Sequence, residues 1–97
     1  MRFLAATAIL VVFAAGPVWA DAAAGKAIYD AKCKMCHGAD GKGTPAMVKA
    51  MGVKPINGMS EAETKAAVTQ GKNKMKPVNG LSAKQIGDVA AYVKSLP

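Results

Sequence analysis

The chain has 97 residues with two cysteines, one histidine and a formal net charge of +7. That length leaves room for one small domain, and three Cys and His side chains cannot close a four-ligand structural zinc site. The basic excess has no stripe of interleaved aromatics, so no nucleic-acid partner is expected.

The N-terminus reads as an export signal. Arg2 is followed by an apolar run from Phe3 to Ala15, a Gly16-Pro17 break, and Val18-Trp19-Ala20 ahead of Asp21. This is the pattern of a secretory signal peptide cleaved after Ala20. The run is shorter than the ~18–20 apolar residues of a spanning helix, so no stable membrane insertion is expected. Residues 1–20 are therefore expected to form a helix with few contacts to the rest. Residues 21–97 form the mature domain, and its place is the periplasm. Phe3, Phe13 and Trp19 all fall in the leader, which leaves Tyr29 and Tyr92 as the aromatics of the domain. So small and aromatic-poor a domain buries too little apolar area to be stable alone, and something else must fill its centre.

Helix signals follow in order. Asp21 can cap a first helix over Ala22–Lys34, with Gly25, Ile28, Tyr29 and Lys32 on one face. At its end stands Cys33-Lys34-Met35-Cys36-His37. Two cysteines two residues apart, followed at once by histidine, form the attachment site of a c-type haem. The thiols add across the two vinyl groups of the porphyrin, and the short turn presents His37 to the iron as proximal axial ligand. One covalent haem c, held by Cys33 and Cys36, then supplies the missing core. A thioredoxin-type reading needs a βαβ context, which the sequence lacks. A disulfide across the small loop is the remaining alternative.

Gly38–Gly43 is a glycine-rich loop. Thr44-Pro45 then reads as a cap and first residue of a short helix, Ala46–Met51, that stops at Gly52. Ser60-Glu61-Ala62-Glu63 is a capping box opening a helix that ends at Gly71. Lys72–Gly80 is a loop containing Pro77. Ser82-Ala83-Lys84-Gln85 is a second box, with Leu81 and Ile86 placed as a hydrophobic staple. The last helix carries Ile86, Val89, Ala90 and Val93 as its apolar stripe, with Tyr92 on the flank.

With these elements in view, residues 21–97 resemble a class I c-type cytochrome, close to the small monohaem cytochromes of bacteria and algae. Gly25 and Tyr29 stand eight and four residues before Cys33, where that family carries a glycine and an aromatic on its first helix. Asp88-Val-Ala-Ala-Tyr92-Val-Lys94 matches the family's last helix, whose aromatic packs across the first. The resemblance implies an all-α cytochrome c fold, three to four helices wrapped around one covalently attached haem. It also implies that the Pro45 carbonyl accepts a hydrogen bond from the proximal histidine.

A distal ligand remains to be assigned. No second histidine exists, so methionine is the candidate type. Met35 lies inside the attachment turn, while Met47 and Met51 read as a packing stripe. Met59 precedes a capped helix. Met75 follows Gly71 by four residues in the loop where the family places its ligand, and the resemblance implies Met75, with Met59 as the alternative. One departure is Lys76, which stands between Met75 and Pro77. His/Met ligation implies a one-electron carrier with no catalytic residues. A haem enzyme or a gas or redox sensor with a labile distal ligand is the rival reading. The expected partners are redox proteins with acidic docking patches, met by Lys72, Lys74 and Lys76, and the protein is expected to be monomeric.

Overall fold

A computed structural model describes residues 20–97. The expectations for the leader helix, and for Phe3 and Phe13 staying out of the core, lie outside these residues. Five helices follow in order: α1 (Ala22–Lys32), α2 (Lys34–His37), α3 (Pro45–Met51), α4 (Glu61–Gln70) and α5 (Ala83–Ser95). No strand occurs among the described residues; Lys72 and Met75 form an isolated antiparallel bridge. The architecture is all-α, as expected.

Helix α1 begins where Asp21 accepts from the amides of Ala23 and Ala24. It ends two residues earlier than its composition suggested. Cys33 leaves the helix with φ −116° and ψ −35°, and a separate turn, α2, carries the rest of the motif. The cap of α3 is as expected, with Thr44 accepting from Met47 and Pro45 opening the helix. At α4 only half of the expected box forms: Ser60 accepts from the Glu63 amide, and its carbonyl takes the Thr64 hydroxyl at 3.0 Å. At α5 the box is reciprocal between Ser82 and Gln85, and Leu81 and Ile86 both pack on the core.

Helices α1 and α5 form the principal pair, and α4 packs on α5. Their crossing depends on Gly25. A Cβ there would lie 2.0 Å from the Asp88 carbonyl oxygen, so only glycine lets the two backbones come this close. One turn further along, Tyr29 and Tyr92 meet with ring centroids 5.2 Å apart, tilted by 54°, in the range of favourable aromatic pairs. Tyr29, Val68, Val89 and Val93 make the buried cluster. That is a thin core, and a cavity occupies the space where more side chains would otherwise pack.

Candidate functional site

The cavity measures about 500 Å³ and is lined from every part of the fold. α1 and α5 contribute Tyr29, Val89 and Val93, and α4 contributes Thr64, Ala67 and Val68. Cys33, Cys36 and His37 line it from the motif turn, and Met47 and Met51 from α3. Met59 and Met75 complete the sulfur-bearing residues of the wall. Its size is that of a small-molecule or cofactor site. Among the described residues no group of three Cys, His, Asp or Glu side chains can hold a bare metal ion.

The motif turn is built on the Cys33 carbonyl, which accepts from the Cys36 amide at 3.2 Å and the His37 amide at 3.0 Å. Gly38 closes it with a positive φ of 76°, a conformation open to glycine. The Tyr29 hydroxyl then donates to the Gly38 carbonyl at 2.6 Å. A fully buried side chain of α1 thus fixes the backbone immediately after His37. Burial, with Cys33 and Tyr92 as lesser causes, pushes the Tyr29 phenol up to about 12, so it remains a donor throughout the neutral range.

Both cysteines are half-buried free thiols. Burial raises the Cys33 thiol above its ordinary value, Cys36 adds to this, and Lys32 opposes it. Burial also lowers His37 below the usual histidine value, which favours the neutral imidazole that a metal binds. The His37 Nδ1 is buried and has no hydrogen-bond partner. The expected bond to the Pro45 carbonyl is therefore not made. Pro45 is the first residue of α3, and the Thr44 carbonyl just before it takes the Val48 amide, so this segment follows helix geometry instead of turning toward the imidazole.

The Met75 loop has more order than its composition suggests. Lys72 and Met75 exchange both backbone hydrogen bonds, at 2.9 and 3.0 Å, around Asn73 with φ 54°. The Val78 amide donates to the Val68 carbonyl at 2.8 Å, which ties the far end of the loop to α4. Gly71 makes the return possible. A Cβ there would lie 2.7 Å from the Met75 carbonyl oxygen and 3.0 Å from Pro77 Cδ. Lys76 occupies the corner between Met75 and this anchor, and it lines the cavity rim with Lys72 and Lys74.

Lys32 and Lys54 also reach the rim; the helical spacing places Lys32 on the face shared with Gly25 and Tyr29, whereas no sequence signal marks Lys54. Only the fold brings them together: Lys32 ends α1, and Lys54 follows α3. The Lys54 segment is held by the Ile56 amide donating to the Gly41 carbonyl at 2.7 Å. Met59 lines the cavity and also packs on the core. In the sequence it is the alternative to Met75 as distal ligand.

A lined apolar cavity, two thiols, an imidazole with an orphaned nitrogen and thioethers from separate segments fit a haem better than a metal ion or an organic substrate. Known proteins agree. A protein-family model described as cytochrome c oxidase, cbb3-type, subunit III, matches residues 20–93. Cytochrome c6 of Limnospira maxima is 40% identical over 81 residues, covering 75% of this chain and 90% of that protein. Cytochrome c6 of Rippkaea orientalis is 42% identical over 77 residues, covering 75% of this chain and 68% of that protein. The solved structure of cytochrome c6 from the diatom Phaeodactylum tricornutum superposes with a TM-score of 0.61 at 31% identity, covering 77% of this chain and 92% of the other. Fold, site and relatives together define a c-type cytochrome. More narrowly, the chain belongs to the small monohaem class I c-type cytochromes, electron-transfer proteins that carry one covalently bound haem c.

Proposed function

We propose that this cytochrome is an exported, periplasmic one-electron carrier, with its haem tied to Cys33 and Cys36 and its iron ligated by His37 and Met75. In this reading residues 1–20 are a cleaved leader and residues 21–97 the working domain, a monomer. The carrying observation is that these four residues, from two separate segments, line a single apolar cavity. The haem supplies a reversible one-electron couple.

The protein's own residues set the conditions for that couple. Tyr29 holds the backbone beside His37 through Gly38. Gly71 and the Lys72–Met75 turn hold the thioether segment, so the ligand is presented by an anchored loop. Buried valines of α4 and α5 exclude water from the wall, which keeps the surrounding dipoles from reorganising when the charge changes. With His37 and Met75 holding the iron, a thioether ligand would raise the reduction potential of the haem. The rim lysines attract acidic patches on redox partners.

Replacing Met75 with alanine tests the assignment. The oxidised protein should lose its weak sulfur-to-iron charge-transfer band, its potential should fall, and the reduced protein should bind CO rapidly. Unchanged band and potential would move the ligand role to Met59, which lines the same cavity. Rapid CO binding by the wild type would favour an enzyme or sensor with a labile distal ligand.

A further inference from the structure

The start of α1 is tied to a buried acid at the far end of the sequence. The Asp21 backbone nitrogen donates to Asp88 Oδ1 at 2.8 Å, and Lys84 Nζ reaches Oδ2 of the same carboxylate at 2.9 Å. The Asp88 side chain is only 3% exposed, whereas that of Lys84 is 56% exposed. A carboxylate so enclosed needs compensation, and it has one solvent-facing cation and one neutral amide donor. The Asp21 nitrogen is also the atom that the proposed leader cleavage would change.

We propose that removal of the leader completes this site: the new α-amino group of Asp21 forms an ion pair with buried Asp88, so export processing itself fastens α1 to α5. This rests on the cleavage reading given above. The chemistry is hydrolysis of the Ala20–Asp21 peptide bond. Water adds its hydroxyl to the Ala20 carbonyl and a hydrogen to the Asp21 nitrogen, which takes up a further proton. A neutral N–H donor thereby becomes a charged one in the same place, so a hydrogen bond already charge-assisted by its carboxylate acceptor gains a charge on the donor side and becomes an ion pair. A positive charge at a helix N-terminus is unfavourable by itself. Here two carboxylates offset it, that of Asp88 and that of Asp21, which caps Ala23 and Ala24. Lys84 is the other charged group on this site, from α5. The position also matters to the fold, because Gly25 meets the Asp88 backbone on the next turn.

The test measures the Asp21 α-amino group in the mature holoprotein, by trace acetylation across the neutral to alkaline range with mass spectrometry of the N-terminal peptide. An unperturbed α-amino group titrates at about 7.7–8.0. A pair with Asp88 raises that value, so the wild type should acetylate roughly tenfold more slowly near neutral pH than Asp88→Asn, the equivalent of about one pKa unit. A second variant with one alanine inserted after Ala20 keeps Asp88 and the Asp21 amide bond but moves the ammonium away. It should label at the ordinary rate even if Asp88→Asn folds poorly. Equal labelling of the wild type and the inserted variant would overturn the ion pair. A mature mass starting at another residue would overturn the leader boundary and the pair with it. The visible haem spectrum of the same sample reports on the carrier reading separately.

Discussion

Tyr29 shows how one side chain serves both core and site. Its ring is fully buried against Tyr92, and its hydroxyl reaches the carbonyl after His37. Tyr29→Phe keeps the ring and removes the donor, which leaves the buried Gly38 carbonyl without that partner. The carbonyl keeps the Gly41 amide at 3.3 Å, so the loss is that of one hydrogen bond, about 0.5–1.5 kcal/mol, and chemical denaturation of the holoprotein should show it. The haem spectrum should be retained, because the chain still closes the motif turn through the Cys33 carbonyl. Gly25 is stricter. Gly25→Ala places a Cβ 2.0 Å from a backbone oxygen that cannot turn aside, so α1 and α5 must separate. The expected destabilisation is about 3 kcal/mol, at the upper end for an overpacked site. A thermal midpoint equal to that of the wild type would show that the helices do not meet there.

At the scale of elements, the α1–α5 contact carries its own pH sensitivity. The Asp21 amide, with Lys84 beside it, holds the Asp88 carboxyl below its ordinary value. A lowered folded value means that stabilisation is complete above the unfolded value of about 3.9 and is lost as pH falls through the folded one. Acid unfolding should therefore steepen below about pH 4 in the wild type, and Asp88→Asn should be less stable at neutral pH with a flatter acid limb. Identical acid limbs would remove Asp88 from the account. The elements themselves were largely legible, because Asp21, Thr44, Ser60 and Ser82 announce helix starts through local hydrogen bonds. What local chemistry could not reveal came from longer range. Cys33 ends α1 early at a backbone break, φ −116°, that its composition does not signal. The Lys72–Met75 turn depends on a close approach to Gly71, and that glycine reads in sequence only as a helix stop. The His37–Pro45 bond fails because α3 begins at Pro45. The motif Cys33-x-x-Cys36-His37 marks three of the cavity-lining residues in sequence, and Met59 and Met75 reach the same wall from separate segments.

For the whole molecule, five lysines from three parts of the chain, Lys32, Lys54, Lys72, Lys74 and Lys76, gather at one cavity. Steering by such a cluster acts on association rate and is screened beyond about 8–10 Å at ordinary ionic strength. Electron-transfer rates with an acidic partner should fall steeply with salt. Lys74→Glu should flatten that dependence more than Lys94→Glu, since Lys94 lies on α5 away from the cavity. Equal effects would make net charge the only determinant. A haem held by Cys33 and Cys36 with His37 and Met75 on its iron has a distinct redox signature, which a spectroelectrochemical titration of the mature holoprotein reads. One reversible one-electron wave at a raised potential is expected, with a thioether-to-iron charge-transfer band that disappears in step with reduction. An oxidised spectrum without that band, at a much lower potential, would contradict that ligation.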